Sequence, residues 1–301
     1  MTFLGTSSAA PTKGRGLPAI AVRREGEVVI MDCGEGIQRQ VIGKGVGLNK
    51  ETTILITHLH GDHVTGLLGL LQTMALAQRS KQLNLVAPAP LLKWLQVTAD
   101  LLNVGLTFQI NFRPARSGVV AKTSGFVVKA TRAVHSVDAY SYVVEEKKRP
   151  GVFFPQNARR LGVPEGKLWS RLQKGRSVVV GGKKIAPAQV TGPPRAGRRV
   201  GYSGDTRPSE RLVRFFSHCD LLIFDSTFRG GDRDKAVERK HSTSVEAAET
   251  ALKAGARRLV LTHFSARYRN VSPLVREARA VFPETIAASD GLEVKVDYPE
   301  G

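Results

Sequence analysis

Short apolar runs alternate with longer stretches of helical periodicity along most of the chain, a pattern that predicts strands each followed by a helix. Residues 19–24 and 27–32 predict a β-hairpin that turns at Glu25-Gly26. The uncharged run at residues 53–56 predicts a buried strand, and residues 64–72 predict an apolar helix after it. The other strands expected in the first half cover residues 2–6, 83–87, 107–112, 126–133 and 140–144, and the other helices cover residues 37–42 and 91–102.

The second half repeats this order of strands and helices. Arg229-Gly230-Gly231-Asp232 opens a charged segment that we expect to be a mobile loop as far as His241. Two halves of similar pattern predict an α/β fold, a four-layer αββα sandwich built from a duplicated unit. The predicted strands of this half cover residues 200–206, 221–224, 258–261, 285–288 and 292–297, and its helices cover residues 209–217, 243–254 and 273–281.

Residues 147–199 break this alternation. They predict short helices at 157–166 and 168–172 and a hairpin of residues 177–180 and 183–185. Glycine and proline mark both ends, which favours an arm projecting from a scaffold over another core layer. We therefore expect a single domain over residues 1–301 with an inserted arm at about 147–199.

Length and composition restrict the class of protein. A chain of 301 residues can form one domain with a full core. No apolar stretch reaches the length needed to cross a bilayer, and the N-terminus lacks the layout of a signal peptide. Cys33 and Cys219 lie in apolar sequence and predict core thiols rather than a disulfide. We therefore expect a cytoplasmic protein that binds no membrane.

The formal net charge of +19 predicts a polyanionic partner. Nucleic acid is favoured over membrane because no basic amphipathic helix is present. Residues 147–199 hold 14 Lys and Arg against one acid, Glu165. An ordinary solvated surface interleaves glutamates with its basic residues, so this segment is better explained as a phosphate-binding surface.

His58, His60, Asp62 and His63 lie within six residues, directly after the predicted strand at 53–56. The carboxyl end of a strand is where open α/β sheets place ligands. Imidazole and carboxylate groups this close together predict a metal site, and zinc suits them best. The alternative is a polar loop with chance histidines, but one turn offers few other partners for three imidazoles.

The run His58-Leu59-His60-Gly61-Asp62-His63 resembles the signature of the metallo-β-lactamase superfamily. The resemblance implies one or two metal ions bound between two β-sheets. It places His58 and His60 at one ion, and Asp62 and His63 at the other. It does not choose among thioester, lactam, phosphodiester and sulfate-ester hydrolysis.

Further residues of metal-binding type follow other predicted strands. Asp205 lies on the turn Ser203-Gly204-Asp205-Thr206, which suits a carboxylate that bridges two ions. Asp32 ends a strand as well; it is either an acceptor that orients a ligand imidazole or a turn residue that begins a helix. We expect two Zn²⁺ per chain in two sets, His58, His60, His135 and Asp205 for the first, and Asp62, His63, His263 and Asp205 for the second.

Over nearly its whole length the sequence is similar to the short form of ribonuclease Z, the tRNA 3′-end endonuclease. The inserted arm, with Leu161-Gly162-Val163-Pro164 and Gly192-Pro193-Pro194, resembles the exosite by which that family grips tRNA. The other motifs that carry the resemblance are Phe3-Leu4-Gly5-Thr6-Ser7, Pro11-Thr12-Lys13-Gly14-Arg15, His135-Ser136, His241-Ser242-Thr243 and residues 32–40, 57–63, 202–206, 225–228 and 261–268.

The resemblance implies a zinc-dependent endoribonuclease that removes the 3′ trailer from precursor tRNA. Metal-hydroxide attack on the phosphodiester after the discriminator base would leave a 3′-hydroxyl on the tRNA and a 5′-phosphate on the trailer. A homodimer is also implied, in which the arm of one subunit holds tRNA for the active site of the other. Two residues depart from the family: Gly16 stands where Asn is frequent, and Asp225 stands where Glu is usual.

Roles in catalysis follow from these positions. Asp62 is expected either to orient the attacking water or to deprotonate it. His241, paired with Asp225, is expected to protonate the leaving 3′-oxygen, with a helix-capping histidine as the alternative. Arg267 is either a phosphate contact or part of a surface ion pair. The expected substrate contacts are Lys13, Arg15, Ser265, Arg267 and Tyr268, and on the arm Arg159, Arg160, Lys167 and Arg171.

Two other functions stay open. One is a small-molecule phosphodiesterase or esterase of the same superfamily, which the basic arm disfavours. The other is an RNA-binding protein with a vestigial site, which the complete set of seven predicted ligands disfavours.

Overall fold

The computed structural model describes residues 1–298. These residues form two compact units. The first consists of Met1–Glu145 and Arg199–Asp297, and the second consists of Glu146–Arg198 together with Tyr298. The second unit is thus an insertion, and it covers almost the same residues as the arm expected from the sequence.

The first sheet begins with an antiparallel hairpin and continues in parallel. Its strands are β1 (Thr2–Gly5), β3 (Ala19–Arg24), β4 (Glu27–Met31), β5 (Glu51–Leu55), β6 (Leu83–Ala87) and β7 (Ile110–Pro114), in the order β1-β3-β4-β5-β6-β7. Parallel neighbours need crossover connections. The helices along this half are α1 (Ile37–Gly43), α2 (Gly61–Val64), α3 (Leu67–Leu76) and α4 (Pro90–Leu101).

The second sheet has seven strands, which are β8 (Gly118–Lys122), β9 (Phe126–Arg132), β10 (Tyr140–Glu146), β13 (Arg199–Tyr202), β14 (Leu221–Asp225), β15 (Leu259–Thr262) and β17 (Thr285–Ala287). Their order is β17-β15-β14-β13-β10-β9-β8, and β13, β14, β15 and β17 run parallel. Its helices are α7 (Glu210–Phe215), α8 (Arg233–Glu238), α9 (Ser244–Ala254) and α10 (Ser272–Val281). A two-residue strand β2 (Ser7–Ser8) pairs with β16 (Phe264–Ser265).

Side-chain alternation divides the core of the first unit into three apolar layers. In β4, Val28 and Ile30 pack with the helices α1 and α3, whereas Val29 and Met31 pack between the two sheets. In β14, Leu221 and Ile223 face that same central layer, whereas Leu222 and Phe224 pack with α7, α9 and α10. Helices therefore cover both outer faces of two packed sheets, which confirms the predicted αββα sandwich.

The second unit has a small core of its own. Its elements are α5 (Pro155–Arg160), α6 (Lys167–Gln173), β11 (Val178–Val180) and β12 (Lys183–Ile185), followed by a 3₁₀ turn at Pro187–Gln189. Within the unit, two guanidinium groups lie over the Tyr298 ring, that of Arg149 at 3.4 Å and that of Arg198 at 4.1 Å from the ring centroid. Its buried apolar residues are Ala158, Val163, Leu172, Val178, Ile185 and Val190.

Several sequence predictions were wrong in detail. Residues 292–297 make only an isolated bridge, at Glu293, rather than a strand. The loop expected before His241 contains a 3₁₀ turn at Gly230–Asp232 and the helix α8. Strand β8 was not predicted, and Asp62 and His63 lie in the one-turn helix α2 rather than ahead of a helix. Within residues 1–298, no helix is long and apolar enough to span a membrane.

Candidate metal centre and active site

The predicted metal ligands lie just after strand ends, and the sheet topology brings these strand ends together. Strands β13, β14 and β15 are parallel neighbours, so their carboxyl ends meet at one edge. Asp205 comes three residues after β13, Asp225 ends β14, and His263 follows β15 directly. In the other sheet, His58 comes three residues after β5. The fold thereby brings residues from distant parts of the sequence to one place.

Four of these residues form a first group around Asp205. His58, His60, His135 and Asp205 each offer one ligand atom, and these atoms lie within 4.8 Å of one another. The Nδ1 atom of His60 is 3.0 Å from His58 Nε2 and 3.2 Å from His135 Nε2. This is the set expected from the sequence for a first ion, and its role in metal binding stays a prediction.

A second group consists of Asp62, His63 and His263. The Nε2 atoms of His63 and His263 are 3.3 Å apart, and each is 3.3 Å from Asp205 Oδ1. Asp205 Oδ2 lies 3.6 Å from His58 Nε2 in the first group. The two carboxylate oxygens of Asp205 therefore face different groups, which is the arrangement a bridging ligand needs.

The residues fit a bound cation. Asp205 Oδ1 is buried and, among the described residues, makes no hydrogen bond of acceptable geometry. A buried carboxylate oxygen without a partner is costly, and a cation between Asp205, His63 and His263 would satisfy it. Ring nitrogens that face one another around a common point likewise suit a metal better than a hydrogen bond. Imidazole and carboxylate donors of this kind are suited to zinc.

The second ring nitrogen of three predicted ligands contacts another group of the protein. His63 Nδ1 lies 2.8 Å from Asp32 Oδ2, His58 Nδ1 lies 2.9 Å from Thr57 Oγ1, and His135 Nδ1 lies 3.0 Å from the Lys240 carbonyl oxygen. Such contacts fix the orientation of a ligand imidazole. Of the two roles considered for Asp32, the contact with His63 supports orientation, and Asp32 adopts a left-handed φ of 60° there.

Burial and neighbouring charges set the protonation of the site. Burial lowers the pKa of His58 well below its ordinary value, and burial also lowers the pKa values of His60 and His135. Burial acts in the same direction on His63, but Asp205 and Asp32 raise the pKa of His63 well above its ordinary value. Burial alone would raise the pKa of Asp205, but the charges of His263 and His63 have the larger effect and bring the pKa well below its ordinary value. Asp205 is therefore a carboxylate. Metal binding needs neutral imidazole and carboxylate, so an ion bound at the second group would displace the proton of His63.

His241 forms a close pair with Asp225. Its Nδ1 lies 3.0 Å from Asp225 Oδ2, so the carboxylate shorter than the family's usual Glu still reaches the ring. Burial lowers the pKa of His241, but Asp225 outweighs it and raises the pKa to about 9. The backbone N–H groups of Thr206, Thr227 and Ser242 donate to Asp225 as well. His241 is therefore a fixed imidazolium next to the two groups.

The N-terminal loop and the segment after β15 line a common cleft of about 730 Å³. Lys13, Arg15, Ser265 and Tyr268, four of the predicted substrate contacts, are among its lining residues. Arg15 is partly committed to structure, because its Nη1 donates to Thr6 Oγ1 and to the Ala288 carbonyl oxygen.

The other side chains near this cleft also have partners in the protein. The Tyr268 hydroxyl donates to Asp232. Arg267 donates from Nε to Ser265 Oγ, and its guanidinium lies 5.1 Å over the Phe228 ring. Among residues 1–298, Arg267 thus makes a cation–π contact, and its role as a phosphate contact stays a prediction.

The arm residues expected to bind substrate all lie in the second unit. Arg159 and Arg160 occupy the last turn of α5, and Lys167 and Arg171 lie on α6. Arg159 pairs with Glu165 at 3.6 Å, with both side chains about two-thirds exposed. Exposed cations with so few acidic partners are available to phosphates.

Three contacts at the site carry no signal in the sequence. Thr227 Oγ1 lies 2.9 Å from His263 Nδ1, the Lys240 carbonyl holds His135, and Arg207 donates to the His241 carbonyl. A backbone acceptor is identical at every residue, so pattern alone does not identify one. Thr227 and Arg207 each lie two positions after a predicted site residue, Asp225 and Asp205, which is the only indication the sequence offers.

Comparisons with known proteins identify the class. The sequence model of the Beta-lactamase superfamily domain matches residues 183–264, and that of the Anti-Pycsar protein Apyc1 matches residues 1–149. The metallo-beta-lactamase fold protein YhfI from Bacillus subtilis superposes with a TM-score of 0.68 at 18% identity, over 97% of this chain and 96% of its own. The chain thus has the metallo-β-lactamase fold.

Relatives at higher identity define the family. The Ribonuclease Z of Nitrosopumilus maritimus is 43% identical over 296 residues, which is 98% of this chain and 99% of that one. The crystal structure of human tRNase Z, short form, has a TM-score of 0.73 at 29% identity and covers 98% of both chains. The chain belongs to the ribonuclease Z family and is a nuclease.

Proposed function

We propose that the protein is a zinc-dependent endoribonuclease that removes the 3′ trailer of precursor tRNA by cutting after the discriminator base. The observation that carries this proposal is the pair of ligand groups that share Asp205, in a chain of the ribonuclease Z family. Human tRNase Z, which has the same fold over nearly its whole length, supports tRNA as the substrate.

Seven side chains would hold the two zinc ions, in the sets His58, His60, His135, Asp205 and Asp62, His63, His263, Asp205. When bound, the ions supply a water of lowered pKa and neutralise charge that develops on the phosphate. Asp205 would hold both sets at a fixed separation. Asp32, Thr57, Thr227 and the Lys240 carbonyl would keep the four contacted imidazoles in the orientation that their ring contacts already impose.

Asp62 would act on the attacking water. Its Oδ2 accepts a hydrogen bond from the Ala9 N–H at 2.8 Å and lies 3.5 Å from His263 Nε2. A carboxylate fixed on two sides can orient a water, or take a proton from it, for in-line attack on phosphorus. This geometry is compatible with both roles, orientation of the water and removal of its proton, and favours neither.

His241 would protonate the leaving group. Its Nδ1 faces Asp225, so Nε2 is the nitrogen that would give its proton to the 3′-oxygen as the P–O bond breaks. The products are then a tRNA 3′-hydroxyl and a trailer 5′-phosphate. The contact with Asp225 favours the imidazolium, because it raises the pKa of His241.

The arm would bind the body of tRNA through its basic residues, among them Arg159, Arg160, Lys167 and Arg171. The functional protein would be a homodimer of the cytoplasm, in which the arm of one subunit serves the active site of its partner. Two buried thiols without a disulfide, Cys33 and Cys219, agree with a reducing compartment.

Metal removal tests this function. Protein stripped with a chelator should leave a 3′-extended tRNA precursor intact, and zinc should restore cleavage up to two equivalents per chain. A chelated protein that still cuts at the full rate, with its zinc content verified as zero, would overturn the assignment.

A further inference from the structure

A buried ion pair lies at the start of α9, close to His241. The Arg207 guanidinium donates from both Nη atoms to the two oxygens of Glu246, and the two side chains are only 13% and 9% exposed. The Arg207 Nη1 also donates to the backbone carbonyl oxygen of His241 at 2.6 Å. Two hydrogen bonds to Glu246 fix the orientation of the planar Arg207 guanidinium, so its hydrogen bond to the His241 carbonyl also has a fixed direction.

Glu246 anchors this pair to the helix. Its Oε2 accepts from the Thr243 N–H at 3.0 Å, and the Glu246 N–H donates to Thr243 Oγ1 at 3.2 Å. The two residues thus form a capping box at the beginning of α9. The backbone N–H of Arg207 donates to the Val134 carbonyl, next to His135. Arg207 therefore connects α9 with the segment that precedes His135 and with the segment that carries His241.

The segment 240–242 that carries His241 is held at several points. Lys240 has a left-handed φ of 59°, and its carbonyl oxygen lies 3.0 Å from His135 Nδ1. The Ser242 N–H donates to Asp225 Oδ2 at 3.3 Å, and Ser242 Oγ donates to the Thr206 carbonyl. The carbonyl of His241 itself is bound by Arg207.

We propose that Arg207, locked by Glu246, is a positioning residue that fixes the backbone of His241 so that its imidazole meets the leaving oxygen. This inference rests on the proposed role of His241 as the acid. A displacement of about 1 Å at a catalytic group can cost on the order of 10²-fold in rate. Loss of the Arg207 contact frees the His241 carbonyl while Asp225 still holds the ring, so the proton is delivered from a less defined position.

The chain offers a matched control. Arg233 donates from Nε to the same Glu246 Oε1 at 3.2 Å, but its side chain is 70% exposed and lies on α8. Arg233→Ala removes a cation from the same carboxylate without removing a contact to His241. Arg207→Met keeps most of the side-chain volume, and Arg207→Lys restores the charge with a single donor group.

The experiment compares two substrates with the zinc-loaded protein. One is a 3′-extended tRNA precursor, whose leaving oxygen needs a proton, and the other is bis(nitrophenyl) phosphate, whose leaving group does not. Arg207→Met should slow the maximal rate on precursor by about 10- to 100-fold, with a much smaller loss on the diester and little change in KM. Arg207→Lys should recover part of that loss, and Arg233→Ala should behave like the parent.

A double-mutant cycle distinguishes positioning from general damage. If Arg207 acts through His241, then Arg207→Met should add little on precursor in a His241→Ala background. Equal slowing of both substrates, or effects of the two substitutions that multiply, would overturn the inference even if Arg207→Met lowers the melting temperature. If His241→Ala alone slows both substrates equally, the acid role fails first, and the inference fails with it.

Discussion

Asp205 is the residue on which both ligand groups depend. Its two oxygens face different groups, and one of them has no other partner among the described residues. The sequence indicated this residue because it lies on a turn after a strand. It could not indicate that this oxygen lies beside both His63 and His263. These two residues are 200 positions apart in the sequence and meet only in the folded chain.

Replacement of Asp205 should therefore disturb both ions. We expect Asp205→Asn to lower the zinc content of fully loaded protein from two to less than one per chain, because an amide bridges cations poorly. Asp290→Asn, a substitution of a half-buried carboxyl outside both groups, is the control and should keep two. Elemental analysis measures this, and a parent protein that holds no more than one tightly bound ion would contradict the shared-ligand arrangement.

The pair His241–Asp225 predicts a pH dependence. The pKa of His241 is raised to about 9, so the imidazolium is present below that pH and is lost as the pH rises through it. Cleavage of precursor should fall on the alkaline side accordingly. In Asp225→Asn the carboxylate is gone, and the fall should move to lower pH, toward the ordinary histidine value of about 6.5. Single-turnover rates against pH measure this; an alkaline limb that does not move would exclude His241 as the titrating acid.

At the scale of elements, hydrophobic pattern predicted those whose local and tertiary preferences agree. The β-branched run that became β5 and the apolar stretch that became β14 are buried on both faces, so their sequence carries the signal. Residues 292–297 alternate like a strand, and Val294 is buried between the sheets. A β-ladder also needs a neighbouring strand whose backbone groups are in position to pair. The hydrophobic pattern carries no information about that neighbour, and these residues form only one bridge.

Helix α8 was missed for the opposite reason. Four of its six residues, Arg233–Glu238, are charged, and only Ala236 is buried. A helix with one buried residue has no apolar stripe to detect. It is held instead by a local ion pair between Lys235 and Asp232, and by the contact of Arg233 with Glu246 on α9, which depends on the completed fold.

The arm can be removed at a point the structure defines. Arg149 and Arg195 bond each other through both backbone groups, at 2.9 and 3.0 Å, so a short Gly/Ser linker in place of residues 150–194 can close on that pair. We expect the armless protein to keep its zinc content and its hydrolysis of small diesters, and to lose most precursor cleavage.

The salt dependence of tRNA binding measures how many phosphate contacts the deletion of the arm removes. Binding of precursor tRNA by the parent should weaken with a slope of roughly −0.7 to −0.9 per phosphate neutralised, and the armless form should have a clearly shallower slope. Equal slopes and equal cleavage rates would mean that the basic arm is an ordinary solvated surface.

At the scale of the whole molecule, the proposed homodimer makes a prediction about mixtures. The armless protein has an active site without an arm, and His241→Ala has an arm without its acid. If the arm of one subunit serves the site of the other, exchange of subunits should regain roughly a quarter of parental activity on precursor, since about half of the dimers are mixed and each has one working site. Activity no greater than the sum of the separate variants would mean that arm and site act within one subunit, or that no dimer forms.

The central claim is that this chain cuts precursor tRNA by hydrolysis at the 3′ side of the discriminator base. Its most direct measurement is end-mapping of both products after incubation of a 3′-extended precursor with zinc-loaded protein in ¹⁸O-labelled water. We expect a single cut, a tRNA that ends in a 3′-hydroxyl, and a trailer whose 5′-phosphate carries the labelled oxygen. A 2′,3′-cyclic phosphate with a trailer 5′-hydroxyl, label on the tRNA, or cuts scattered along the trailer would contradict it.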